Sequence, residues 1–172
     1  LKHGGVKYVS VTFTNPDARY TNKKVFISGG SEGLGRAMAK AYLAEGAEVI
    51  VTGRSKEKLS NFQLSESNAK LHTLVWDALD FDSYKQKFDK AVSMMGRIDI
   101  FVNNVGGGMS KYEPWNAYTA EVLDRTYDIN TKSMFLMCQM EGLYMIDNKN
   151  NGNILNITSI AGYQRLFDPY AV

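Results

Sequence analysis

Short apolar runs alternate with stretches of helical spacing from Lys23 onward, and this alternation restricts the possible folds more than any other feature of the sequence. The runs lack the regular polar and apolar alternation of half-buried strands, so we expect strands that are buried on both faces. Five strands are predicted, at residues 24–28, 48–52, 70–76, 98–103 and 153–158. Strands that alternate with helices form βαβ units, so the sequence predicts an α/β fold with a doubly wound parallel sheet and helices on both of its faces.

The stretches between the strands carry the end signals of helices, such as a polar N-cap residue or a terminal glycine. Helices are predicted from Leu34 to a terminal Gly46, over residues 55–62 with Ser55 as N-cap, over a stretch that ends at Gly96, and over residues 121–144.

Composition excludes several classes of function. Twenty basic and eighteen acidic residues give a net charge of +2, which is too small to indicate a nucleic-acid-binding protein. The single cysteine, Cys138, excludes an internal disulfide framework, and two histidines, His3 and His72, exclude a His-rich metal site. No apolar run approaches the roughly 18 residues of a membrane span. No signal peptide is visible, although the chain opens with Leu1, and we expect a cytoplasmic protein.

Two parts of the chain depart from the βαβ pattern. Residues 1–22 contain the run 6–13, which is predicted to be either an edge strand or part of an extended leader. Residues 23–172 are predicted to form an incomplete Rossmann-like nucleotide-binding domain. Only fourteen residues follow Thr158, too few for the helix that should cover a fifth parallel strand. We therefore expect the chain to be part of a longer protein, with carboxyl-terminal strands and helices missing.

A glycine-rich loop follows the first predicted strand and precedes the first predicted helix. Glycines let a backbone turn sharply and approach a phosphate, while a helix N-terminus offers free N–H groups to an anion. The loop therefore predicts a dinucleotide-binding site. Its candidate cofactor-binding residues are Gly29, Ser31, Glu32, Gly33, Leu34 and Gly35.

Two other interpretations of this loop are open. Gly29-x-Ser31-x-Gly33 also matches the nucleophile elbow of hydrolases, but that arrangement requires a late histidine, and neither histidine of the chain occupies such a position. A purely structural turn is the second alternative, and it leaves the clustering of glycines at the end of the first strand unexplained.

Arg54 and Ser55 follow the second predicted strand, where a dinucleotide site usually carries an acidic residue that binds the ribose hydroxyl. A guanidinium at this point can pair with a 2′-phosphate, so the sequence favours NADP(H) over NAD(H). The alternative is a solvated arginine at the start of a helix.

Several motifs, in order and at approximate spacing, resemble those of the classical short-chain dehydrogenase/reductase family over residues 23–172. Ser28-Gly29-x-x-x-Gly33-x-Gly35 is similar to the glycine motif of that family, and Asn103-Asn104-Val105-Gly106 is similar to its Asn-Asn-Ala-Gly. The resemblance further assigns Asp77, Asn104 and Gly106 to cofactor binding, and Asn130, Ser159 and Tyr170 to catalysis.

The resemblance also implies a function. The expected protein is an NADP(H)-dependent oxidoreductase that moves a hydride between nicotinamide and a small carbonyl or alcohol substrate, related to 3-oxoacyl reductases or other carbonyl reductases, and forms a dimer or tetramer of identical chains. The lysine of the family's Tyr-x-x-x-Lys motif would fall two positions beyond Val172, so the chain alone is expected to be inactive. The alternative is a non-catalytic fragment of the same fold that binds a dinucleotide or a partner.

Overall fold

The computed structural model describes residues 18–66, 70–107 and 118–159. Five parallel strands form one sheet in the order β3-β2-β1-β4-β5. The strands are β1 (Lys24–Ile27), β2 (Glu48–Gly53), β3 (Leu71–Val75), β4 (Ile100–Asn103) and β5 (Asn153–Asn156). All five predicted strands are present, with ends that differ by a few residues, and the parallel α/β fold is confirmed.

The helices of the described residues are α1 (Gly33–Ala44), α2 (Lys56–Glu66), α3 (Tyr84–Met95), α4 (Ala120–Tyr127) and α5 (Ser133–Asp147). Ser55 caps α2 as predicted, because its hydroxyl accepts the backbone N–H of Lys58. A short 3₁₀ turn precedes α3, and Gly46 and Gly96 follow α1 and α3 with positive φ angles of 88° and 73°.

The single long helix predicted over residues 121–144 is interrupted by a π-helical turn, Asp128–Lys132. The backbone N–H of Ser133 donates to the carbonyl of Asp128, five residues earlier. Side chains bind other carbonyls of this segment: the Ser133 hydroxyl donates to the Ile129 carbonyl over 2.6 Å. Such turns are common at functional sites, and Asn130 lies at the centre of this one.

Apolar side chains cover both faces of the sheet, as a doubly wound fold requires. On one face, Val25 and Ile27 of β1 pack with residues of α1 and α2. On the other face, Phe26 of β1 packs with residues of α3 and α5. Burial on both faces explains why the strand runs are continuously apolar.

Strand β5 lies at one edge of the sheet, and all four of its residues are exposed. Ile154 and Leu155 retain 36% and 45% of their accessible surface, whereas the β4 residues that pair with them are buried. Within the described residues, apolar surface therefore remains open on this edge.

Residues 18–22 form a turn that packs against the end of α1. The guanidinium of Arg19 forms an ion pair of 2.7 Å with Glu45, and the ring of Tyr20 contacts the ring of Tyr42 edge-on. The run 6–13, predicted as an edge strand or leader, lies outside the described residues.

None of the helices within the described residues has the length and apolarity that crossing a membrane requires.

Candidate dinucleotide site

The loop after β1 is built from glycines because neighbouring groups leave no room for side chains. A Cβ atom on Gly30 would lie 2.6 Å from the side chain of Val51, and one on Gly35 would collide with the carbonyl oxygen of Gly29. Gly29 and Gly33 adopt positive φ angles of 67° and 56°, which favour glycine. The loop therefore turns tightly and keeps its backbone open to a ligand.

Asn104, at the end of β4, holds this loop in place. Its side-chain amide donates to the carbonyl oxygens of Ser28 and Gly29, at 3.2 and 3.1 Å. In return, the Ser28 hydroxyl accepts the backbone N–H groups of Asn104 and Val105, at 3.0 and 3.2 Å. The carboxyl ends of β1 and β4 are thus joined by four hydrogen bonds.

A cavity of about 570 Å³ opens along this edge of the sheet. Such a volume is typical of small-molecule and cofactor sites. Nine predicted cofactor-binding residues line it: Gly29, Ser31, Glu32, Leu34, Arg54, Ser55, Asp77, Asn104 and Gly106. The other two predicted residues, Gly33 and Gly35, shape the loop behind the cavity wall rather than line it.

The amino end of α1 faces the cavity through Glu32 and Leu34. Glu32 occupies the N-cap position, but its carboxylate makes no capping hydrogen bond with the helix. The first-turn N–H groups of a helix have no intrahelical partners, and together with the helix dipole they attract an anion.

Two cations and one carboxylate lie at the end of β2. Lys58 Nζ lies 2.7 and 2.9 Å from the carboxylate oxygens of Glu32. The ammonium of Lys58 lowers the pKa of the Glu32 carboxyl, and the nearby Arg54 lowers it further. Because both cations line the cavity, this corner carries a net positive charge.

Asp77 follows β3 and stabilises its own turn, since its carboxylate accepts the backbone N–H of Leu79 over 3.0 Å. The preceding Trp76 is buried and also lines the cavity. The carboxylate of Asp77 is exposed, and Asp77 lines the cavity.

Asn130 contacts the segment after β4 rather than the apolar core. Its amide donates to the Gly107 carbonyl at 2.8 Å and accepts the Gly107 N–H at 3.0 Å. It also donates to the Thr126 carbonyl at 3.0 Å. Asn130 is half-buried, and backbone groups, mainly of the neighbouring segment, satisfy its amide.

The other two predicted catalytic residues are not brought together by the described structure. Ser159 is exposed and lies three residues beyond β5, at the same edge of the sheet as the cavity. Tyr170 lies outside the described residues. Among the described residues that line the cavity, neither Asn130 nor Ser159 is present, so the catalytic roles stay predictions.

Several lining residues escape the sequence analysis. Lys58 could have been identified, since it lies one helical turn after Ser55. The α4 residues carry no recognisable motif, because the position of α4 beside the cavity depends on tertiary packing. The unpredicted lining residues include Lys58, Trp76, Tyr118, Val122, Arg125, Thr126 and Ile129.

The structure gives no support to the hydrolase interpretation of the loop. His72 binds the carboxylate of Glu48 at 2.9 Å. It pairs in register with Ile50, whereas Gly53, beside Ser31, pairs with Val75 at the other end of β3. His3 lies outside the described residues. In residues 18–66, 70–107 and 118–159, no group of three or more His, Cys, Asp or Glu is placed to hold a metal ion.

Known proteins share this architecture and sequence. The family model for short chain dehydrogenases matches residues 23–171. The 7alpha-hydroxysteroid dehydrogenase of Bacteroides fragilis is 30% identical over 150 residues, which cover 84% of this chain and 56% of the relative. The 3-oxoacyl-[acyl-carrier-protein] reductase of Thermotoga maritima is 32% identical over 152 residues, which cover 84% and 58% of the two chains.

A solved structure, a short chain dehydrogenase from Bacillus anthracis, superposes with a TM-score of 0.77 at 30% identity and covers 84% of this chain and 60% of that one. The chain spans slightly more than half the length of the curated relatives it matches. The match to the family model over most of its residues shows that this chain belongs to the short-chain dehydrogenase family.

Proposed function

We propose that the intact protein is an NADP(H)-dependent oxidoreductase that interconverts a carbonyl and an alcohol. The observation that carries the proposal is the cavity in which the glycine loop, fixed by Asn104, lies beside the cations Arg54 and Lys58. The chain's membership of the short-chain dehydrogenase family supports the same class of reaction.

The residues of the cavity fit a phosphorylated dinucleotide. Glycines at positions 30 and 35 let the loop pack tightly against Val51 and against its own backbone, and the amino end of α1 favours the negative charge of a pyrophosphate. Arg54 and Lys58 suit a 2′-phosphate, because a guanidinium binds phosphate oxygens in pairs and an ammonium adds a point charge. Asp77 and the α4 side of the cavity are assigned to the adenine.

The assignment of Lys58 to the 2′-phosphate must account for Glu32, because the Glu32 carboxylate forms an ion pair with Lys58. A phosphate that binds Lys58 must replace this ion pair, which is weak because both side chains are exposed to solvent. The pair therefore holds Lys58 at the cavity without preventing an exchange of partners.

Ser159 and Tyr170 are proposed to act on the substrate oxygen. The nicotinamide, when bound, supplies the hydride chemistry. The Ser159 hydroxyl is proposed to donate a hydrogen bond to the substrate oxygen as charge develops on it. Tyr170 is proposed to give its phenolic proton to that oxygen in reduction and to take it back in oxidation. Asn130 is proposed to hold the segment around Gly107 close to the reacting groups.

The substrate is proposed to be a small molecule that carries a ketone or a secondary alcohol. The names of two relatives, 7alpha-hydroxysteroid dehydrogenase and 3-oxoacyl-[acyl-carrier-protein] reductase, make both a ring substrate and a chain substrate candidates. A homo-oligomer is also proposed, supported by exposed apolar side chains such as Phe135 and Ile146 of α5.

Absorbance of the reduced nicotinamide, followed with the intact protein and a panel of ketones and alcohols, tests the function. We expect turnover with NADPH, and a decrease of at least about 10²-fold in Tyr170→Phe, in which the ring is retained and only the proton donor is lost. Ser159→Ala should lose a comparable factor, and the double variant little more. Dinucleotide binding without turnover on any member of the panel would favour the alternative, a non-catalytic binding module.

A further inference from the structure

Glu141 of α5 is a carboxyl group that the cofactor site leaves unexplained. It has no accessible surface, although it lies in the middle of a helix that covers β4 and β5. A buried carboxylate is costly unless it is paired with a cation or fully hydrogen-bonded. Its immediate partners therefore decide which protonation state the fold can hold.

The partners form a cluster of four residues, the Glu141 cluster, with Asn103, Cys138 and Asn156. The Asn103 amide donates to Glu141 Oε2 at 2.8 Å and to Asn156 Oδ1 at 3.0 Å. The Cys138 thiol donates to Asn156 Oδ1 at 3.3 Å. Two buried oxygens in the cluster, Glu141 Oε1 and Asn103 Oδ1, have no hydrogen-bond partner among the described residues.

Both of these oxygens are acceptors, so the cluster lacks a donor. The two hydrogens of the Asn103 amide go to the other carboxylate oxygen and to Asn156, and the thiol hydrogen also goes to Asn156. One additional hydrogen on Glu141 would convert an acceptor into a donor, and a carboxylic acid provides such a hydrogen.

No neighbouring charge within the described structure offsets an ionised Glu141. Strands β4 and β5, which pack against α5, contain no titratable residue. Cys138, on α5 itself, is the titratable group that shares the cluster. Charged groups near the ends of α5 are engaged at the surface, as in the ion pair of Lys132 with Asp128, and the charged residues of α3 lie along its exposed or partly exposed side.

We propose that Glu141 is a neutral carboxylic acid that pairs reciprocally with the amide of Asn103. In this pair the Asn103 amide donates to Oε2, as observed, and the hydroxyl on Oε1 donates to Asn103 Oδ1. Both orphaned oxygens are then satisfied by a single proton.

The pair makes Glu141 a positioning residue for the cofactor site. Asn103 directly precedes Asn104, which fixes the glycine loop. Asn156, bound to the same Asn103 amide, lies three residues before Ser159. Loss of the proton would leave a buried carboxylate facing an unpaired carbonyl at the point where β4, β5 and α5 meet.

Burial raises the pKa of the Glu141 carboxyl from its ordinary 4.5 to about 7, against a smaller lowering by the hydrogen bond from Asn103. At pH values between 4.5 and about 7, Glu141 is ionised in the unfolded chain but keeps its proton in the folded protein. The contribution of Glu141 to stability is therefore greatest below pH 4.5, falls as the pH rises toward 7, and decreases no further above it. The equilibrium constant of unfolding should increase up to about tenfold per pH unit in this window through Glu141 alone.

Glu141→Gln tests the pair, because a glutamine amide can both accept from and donate to Asn103 at any pH. Infrared spectra of the intact protein at pH 6, where exposed carboxyls are ionised, should contain a protonated-carboxyl band that Glu141→Gln lacks and that titrates near pH 7. Denaturation between pH 4.5 and 7 should show a wild-type stability that falls relative to Glu141→Gln. Glu57→Gln, at an exposed site on α2, is the matched control and should change neither result.

The absence of a titrating carboxyl band from the wild-type protein would overturn the proposal, even if Glu141→Gln failed to fold. A difference in the free energy of unfolding between wild type and Glu141→Gln that does not change with pH would also overturn it.

The positioning role, which rests on the proposed function, predicts that the wild-type affinity for NADP⁺ falls relative to that of Glu141→Gln between pH 6 and 8. A ratio of the two NADP⁺ affinities that stays constant with pH would contradict that role. Failure of both proteins to bind a dinucleotide would contradict the proposed function, but it would not affect the infrared test of the Glu141 pair.

Discussion

The side-chain amide of Asn104 lies 3.1 Å from the carbonyl oxygen of Gly29, so the end of β4 fixes the loop that follows β1. The two residues are far apart in sequence, and parallel pairing of their strands brings them together. This contact explains how a loop of small residues keeps one conformation while its backbone stays open to a ligand.

Gly35→Ala should disrupt the loop from behind. The added methyl group would collide with the Gly29 carbonyl and the Asn104 amide, so the loop must shift. We expect a destabilisation of about 1–3 kcal/mol in urea denaturation, together with weaker dinucleotide binding. Gly142→Ala on α5 is the matched control, since nothing lies within 4 Å of its added Cβ, and it should raise stability by up to about 1 kcal/mol. Equal behaviour of the two variants would argue against the tight packing of the loop.

Glu32→Gln should strengthen the binding of a phosphorylated cofactor. The substitution removes the carboxylate that forms an ion pair with Lys58, and it leaves the cavity with a more positive net charge. Because solvent screens this exposed ion pair, we expect only a modest increase in the affinity for NADP⁺, of no more than about fivefold. Calorimetric titration measures this change, with Glu57→Gln, at an exposed position of α2 outside the cavity lining, as control. A decrease in affinity would mean that Glu32 itself binds the cofactor.

Asn130→Ala should lower turnover more than stability. The variant loses two hydrogen bonds to Gly107, each worth about 0.5–1.5 kcal/mol, at a partly exposed position where water can replace them. We expect a clear decrease in kcat with little change in the urea midpoint. Asn148→Ala is the control, because Asn148 makes a similar side-chain bond to the Tyr144 carbonyl at the far end of α5. Unchanged kcat in Asn130→Ala would remove Asn130 from the reaction.

The 172-residue chain studied by itself should self-associate. Strand β5 exposes its residues, and Phe135 and Ile146 of α5 retain 67% and 73% of their surface. Open strand edges and apolar faces recruit other chains, and a charge on the edge opposes pairing. Sedimentation velocity should therefore detect oligomers or aggregates, fewer of them in Leu155→Lys. A monodisperse wild-type monomer would contradict this expectation.

The strands and the direction of the sheet could be predicted because the strands are short apolar runs, and glycines such as Gly46 and Gly96 end the helices that precede β2 and β4. Structural features that depend on tertiary contacts could not be predicted. The helical spacing indicates a continuous helix over residues 121–144, and it carries no signal for the π-helical turn or for the contacts of Asn130 with Gly107 on another segment.

The candidate site divides in the same way. Arg54 is predictable because it directly follows a strand, and the carboxyl ends of parallel strands share one edge, whereas Asp77 is assigned by the family resemblance. Glu141 carries no such signal: its position in α5 gives no indication of the two amides that surround it. Lys58 and the α4 side of the cavity likewise depend on how the helices pack.

The affinity of the intact protein for NADP⁺ and for NAD⁺, measured by calorimetry in wild type and in Arg54→Ala, tests the account most directly. We expect wild type to bind NADP⁺ more tightly, and Arg54→Ala to lose about 1.5–3 kcal/mol of NADP⁺ binding, roughly tenfold to more than a hundredfold, with NAD⁺ nearly unaffected. Lys56→Ala, a neighbouring cation that does not line the cavity, should change neither affinity. Equal affinities in wild type, or equal losses for both cofactors in Arg54→Ala, would contradict the assignment of this cavity to NADP(H).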